Sequence, residues 1–155
     1  MPKRMTALLF LAVFATQAYP AEHLRTRYGQ LVALPIPGKT SRFSIQLRGK
    51  AIVNVKADDV KLYRVTPRGT AEYVVIEAWN PGLHCHYHYL IVEIASGKAT
   101  QHSRAFGDCY QLQSASYLPN AVQVELASTG PLPGKATFRW SNGTLSPVTG
   151  QSNGP

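Results

Sequence analysis

The chain has 155 residues, of which 45% are hydrophobic and two are cysteines, with 16 Lys and Arg against 8 Asp and Glu for a formal charge of +8. That is one domain's worth of sequence, enough for a hydrophobic core without extra staples. Beyond the first eighteen residues no apolar run is long enough to span a bilayer, and no internal repeat of roughly 20–50 residues is present.

Residues 1–18 read as a secretory signal peptide. Lys3 and Arg4 form a basic start, an apolar run covers 7–15, and Thr16-Gln17-Ala18 is a small-x-small cleavage site. The run is too short for a permanent anchor, and no cysteine lies near the cleavage point to carry a lipid. The expected mature chain of roughly 137 residues is a soluble, secreted protein, periplasmic or extracellular, in an oxidising compartment. Its charge is uneven. Lys39, Arg42, Arg48, Lys50, Lys56, Lys61, Arg64 and Arg68 face only Asp58 and Asp59 in their segment, and the remainder is close to neutral.

Residues 22–38 are ambiguous. Leu24, Tyr28 and Leu31 have helical spacing, but Gly29, Pro35 and Pro37 limit a helix to a turn or two, and 31–34 fits a first strand equally well. Residues 42–48 alternate, with Phe43, Ile45 and Leu47 on one face and Arg42, Ser44, Gln46 and Arg48 on the other. A three-residue loop over 49–51 would pair Leu47 with Val53 and Ile45 with Val55. Strands are expected over 60–65 and 72–79, joined by a turn over 66–69. In the second of these both alternating sets are apolar enough for both faces to be covered. Asn80-Pro81-Gly82 is a strong break.

Residues 83–110 form the expected central hairpin. Two strand-forming runs flank a turn at Ser96-Gly97-Lys98. Counting outward from Ala95 opposite Ala99 sets Cys85 opposite Cys109, at a separation an antiparallel pair can bridge with a disulfide. The same register puts His84, His86 and His88 on one strand face, Asp108 across from His86 and Phe106 across from His88. After Cys109 the chain is expected to loosen over 114–120. A strand follows over 121–127 with Val122, Val124 and Leu126 inward, then a Gly/Pro loop over 130–134. Ala136, Phe138 and Trp140 alternate, and Asn142-Gly143 is a type I′ hairpin signal that sets Leu145 against Trp140. Residues 150–155 read as a disordered tail.

The expected architecture is all-β: one antiparallel β-sandwich or open β-barrel over 19–149, of seven to nine short strands with a disulfide-stapled hairpin. For function, no Gly-x-Ser-x-Gly elbow, phosphate-binding glycine loop or His-Glu-x-x-His helix is present. The leading expectation is an exported binding module of inhibitor or immunity type, acting on an envelope-targeting partner. Arg42, Arg48, Lys50, Lys61 and Arg64 offer a basic face to another protein or to an anionic envelope component. Export disfavours nucleic acid as the partner. A second expectation is zinc or copper binding by His84, His86 and His88 with Asp108, since imidazoles at i and i+2 with a carboxylate across the ladder suit either metal. The third is an envelope hydrolase with an unfamiliar site, for which Glu77 and Glu93 would supply paired carboxylates if their strands are adjacent.

Overall fold

A computed structural model of the chain describes residues 22–65, 69–82, 84–128 and 134–148. The expected signal peptide and tail, and most of the turn over 66–69 and the loop over 130–134, lie outside these residues. The described residues form twelve strands in three antiparallel sheets of four, each following chain order. The first sheet holds β1 (Glu22–Thr26), β2 (Gly29–Pro35), β3 (Arg42–Leu47) and β4 (Lys50–Lys56). The central sheet holds β5 (Asp59–Val65), β6 (Ala71–Trp79), β7 (Tyr87–Ala95) and β8 (Gln101–His102). The third holds β9 (Tyr110–Leu118), β10 (Ala121–Ser128), β11 (Lys135–Ser141) and β12 (Thr144–Pro147).

The expectation of a single sandwich of seven to nine strands is therefore corrected. Leu31, Ala33 and Ile45 of the first sheet pack on Val74, Ile76 and Val92 of the central one. Val75, Tyr89 and Ile91, on its opposite face, pack on Val122, Val124, Leu126 and Trp140 of the third. The central sheet has no free face to offer water along β6, where Glu72 through Ala78 are all buried. This is why both alternating sets of that strand are largely apolar.

Local corrections have local causes. The helical spacing of Leu24, Tyr28 and Leu31 belongs to a hairpin, in which Leu24 pairs with Leu31 and Tyr28 sits in the turn. Gly29, at φ +124°, takes the conformation that lets the chain reverse there. The β3–β4 turn is two residues, Arg48 and Gly49, both at positive φ, so Leu47 pairs with Lys50. A bulge after Ile45 then sets Ile45 opposite Val53 and Phe43 opposite Val55, which restores agreement of the apolar faces. Residues 114–120 do not loosen: Ser114 through Leu118 lie within β9. Against β10 the register slips between Glu125↔Ser114 and Leu126↔Leu112. That slip hides the strand from a period-2 reading, because Leu112 and Ala115 reach the same face across it. The Asn142-Gly143 turn forms as expected, with Trp140 opposite Leu145.

The central hairpin keeps its expected register at Val92↔His102 and Glu93↔Gln101, then shifts by one residue to Tyr89↔Phe106. Ser103 manages the shift. Its N–H donates to the Ile91 carbonyl at 2.8 Å, and the Ile91 N–H donates to Ser103 Oγ at 2.9 Å. A side-chain oxygen thus accepts where the backbone ladder is interrupted. Ser103→Ala is expected to cost about 1–3 kcal/mol, the penalty for leaving a buried N–H unpaired. Urea unfolding checks this, and hydrogen exchange at Ile91 should accelerate with it.

Candidate functional site

Cys85 and Cys109 are disulfide-bonded, 24 residues apart in sequence with Cα atoms 4.2 Å apart. The pairing expected from the hairpin count is present. The register shift changes the histidines' neighbours, however, because Phe106 faces Tyr89 and not His88. His84 and His86 are exposed and precede β7, with the His86 carbonyl accepting from the Asn80 N–H at 2.8 Å. His88 alone is on the strand, opposite Ala78 and half-buried. Among the described residues no three His, Cys, Asp or Glu side chains come together to hold a metal ion. Burial lowers the His88 pKa from its ordinary 6.5, and the charge of Asp108 opposes the shift. A base whose folded pKa is lowered is more readily protonated when unfolded. The stability it contributes is present above pH 6.5 and declines as pH falls through that value towards the folded pKa. The expected result is a loss of stability from pH 7 to pH 5 that is shallower in His88→Gln, read from denaturation midpoints.

The expected basic residues do not share one face. Arg42 is on β3 opposite Lys56. The Arg48 side chain folds back so that Nε donates to the Tyr28 carbonyl, and Lys50 is exposed beside the same turn. Arg64 pairs with the buried carboxylate of Glu72, which also accepts from the Arg27 N–H at 2.6 Å. Lys61 is directly opposite Glu77 on the central sheet. Glu77 and Glu93 do not pair either. Glu77 is level with Tyr89 on β7, four residues from Glu93, and Glu93 instead accepts from Trp140 Nε1 at 2.9 Å.

The third sheet covers only part of the central face. Tyr117 packs on Tyr73 and Phe138 on Phe106, with ring centroids 5.7 and 4.8 Å apart. Beyond them Tyr89 marks the limit. Its hydroxyl accepts from the Leu112 N–H at 2.9 Å and lies 3.1 Å from the Tyr110 carbonyl. Past that point alternate residues of three strands form an open floor, a concavity of about 240 Å³ lined by Asp59, Lys61, Glu77, Trp79 and Tyr87. Among the described residues none from the third sheet lines it. The strands supply these side chains at i, i+2 spacing, and Trp79 is the direct cross-strand partner of both Asp59 and Tyr87. Asn80, itself buried, pins this end of the sheet, since its side-chain amide donates to the Lys56 carbonyl at 3.3 Å.

At the back of the floor Glu77 is only 6% exposed. Tyr63 Oη is 3.3 Å from one carboxylate oxygen and Tyr89 Oη 3.4 Å from the other. Burial first, then the charge of Glu77, pushes the Tyr63 hydroxyl up to about 12, and the same two causes push Tyr89 well up. Both phenols therefore remain protonated at physiological pH. Trp79 and Tyr87 are half-buried, while Asp59 and Lys61 are exposed.

Of these residues, sequence reasoning singled out Lys61 for the basic face and Glu77 for a paired-carboxylate site, and passed over Asp59, Trp79 and Tyr87. The available signal was aromatic and acidic residues at period 2 beside the Asn80-Pro81-Gly82 break, where an apolar run was expected to end. Comparison with protein families, with curated proteins and with solved structures finds no match to this chain. Among the described residues no helix is long and apolar enough to cross a membrane.

Proposed function

We propose that the protein is an exported binding module, of the inhibitor or immunity type, that holds its partner on the open floor of the central sheet. The observation that carries this reading is the set Trp79, Tyr87, Asp59, Lys61 and Glu77, gathered in one concavity at the uncovered end of a sheet whose strand β6 is packed on both faces. Large aromatic side chains left half-exposed, tryptophan and tyrosine above all, are enriched at binding surfaces. The cystine is compatible with the oxidising compartment to which residues 1–18 would deliver the chain. The scattered cations argue for the floor over a single basic face: Arg64 is engaged by Glu72, and Arg48 by the Tyr28 carbonyl in the neighbouring β1–β2 turn.

The test is capture from an envelope extract by the immobilised mature protein and its variants. Trp79→Ala is expected to weaken capture at least tenfold, since aromatic anchors commonly contribute ~2 kcal/mol or more. Arg42→Glu, on the first sheet, is expected to leave it unchanged. The reverse pattern would move the partner to the basic outer strands and remove the floor from consideration.

A further inference from the structure

Glu77 stands out in its setting. The protein is basic overall, yet the floor holds two carboxylates, Asp59 and Glu77, against the single ammonium of Lys61. A third carboxylate, Glu22 on β1, is near enough to act on the Tyr63 hydroxyl. Glu77 is almost wholly removed from water, and a buried carboxylate is costly unless a cation or strong donors satisfy it. Its donors are weak. Both phenol distances exceed 3.2 Å, and the Tyr89 hydroxyl proton has the Tyr110 carbonyl as a nearer acceptor. Lys61, though directly opposite, forms no ion pair with Glu77, for among the described residues the ion pair formed is Arg64 with Glu72. Beside this carboxylate, Trp79 and Tyr87 are directly opposed on adjacent strands, which brings indole and phenol side by side as a wall of the concavity.

A carboxylate at the back and aromatic rings at the side are complementary to one ligand chemistry. We propose that the floor takes an organic cation, an ammonium or guanidinium group, seated against Trp79 and Tyr87 with its charge met by Glu77 and Asp59. This rests on the binding reading above and names its ligand class. The cation is either a free small molecule or a side chain presented by the partner, and the recognising groups are the same in both cases.

The experiment titrates the mature, oxidised protein with choline, with N-acetyl-arginine amide, with 3,3-dimethylbutanol as the neutral isostere of choline, and with a methyl glucoside. The readout is the Trp79 indole N–H signal, with the buried Trp140 as internal reference. At least one cation is expected to give a saturable Trp79 shift, and both neutral compounds none. Choline alone would identify a small quaternary ligand. The arginine amide alone would identify a partner's side chain. Glu77→Gln is expected to weaken binding at least tenfold, and Lys61→Ala to tighten it severalfold by removing the competing charge. Should Glu77→Gln lower the melting temperature, Asp59→Asn at an exposed position reads the same charge requirement and is expected to weaken binding severalfold. Equal binding of choline and its neutral isostere, indifference to both carboxylate changes, or silence with both cations would overturn the cation assignment. The binding reading fails separately, when Trp79→Ala leaves partner capture intact.

Discussion

Gly107→Ala is expected to destabilise the protein by about 2–5 kcal/mol, while Gly97→Ala, in the same hairpin, costs only about 1–2 kcal/mol. Both glycines have left-handed backbone, at φ +76° and +68°. A β-carbon meets that strain at either position. The two sites differ in what surrounds them. At Gly97 a β-carbon would meet nothing within 4 Å. At Gly107 it would lie 2.9 Å from the Tyr89 ring and closer still to a Leu126 methyl. Tyr89 and Leu126 are both fully buried, so neither can move aside without displacing the core between the central and third sheets. Gly107 is thus the point where the chain leaving β8 crosses over the Tyr89 ring on its way to β9. Urea unfolding of the two variants provides the comparison. Equal losses would mean that the core at Gly107 gives way freely and that the close approach does not constrain it.

The second large effect is loss of the disulfide. Replacing Cys85 and Cys109 together by alanine is expected to cost ~3.5 kcal/mol, the chain-entropy value for a loop closed across this separation. The loss should be structured. The bridge joins the approach to β7 with the approach to β9, so it holds Tyr87 and Tyr110 in place at the edge of the floor. Hydrogen exchange is expected to rise at Tyr87 to Tyr89 and at Tyr110 to Leu112 before it rises in β10 and β11. An unfolding midpoint unchanged between oxidised and reduced protein would show that the stacked sheets hold that end unaided.

These two expectations mark different depths of legibility. The cystine was legible by counting outward from Gly97, although the ladder follows that count only at Glu93 with Gln101 and Val92 with His102, and the two cysteines lie beyond it. The register then shifts at Ser103, and the count gives Phe106 the wrong partner, His88 in place of Tyr89. Here a buried side chain supplies a hydrogen bond that the shifted backbone omits, and Ser103 looks like any other serine in the chain. In β9 too an extra residue interrupts the alternation, and it turns a clear strand into an apparently loose segment. The basic residues show the complementary failure. Their clustering in sequence is genuine, but consecutive strands and opposite faces scatter Arg42, Lys61 and Arg64 to different parts of the molecule.

The sequence by itself determined that the protein is all-β, where most strands lie, that Asn142-Gly143 turns a hairpin, and that Cys85 meets Cys109. The strands and the turn follow from contacts between near neighbours on a ladder, which impose period 2 and turn chemistry, while the cystine needs only that the two segments leaving one turn stay side by side. Only the tertiary structure decided that there are three stacked sheets, that Gly107 must remain bare, and that Trp79, Tyr87, Asp59 and Glu77 share an open floor. Alternation records that a face is covered, but the covering layer comes from residues far away in the chain. Where that layer stops, no local pattern marks the edge, and the side chains left beyond it become available for binding.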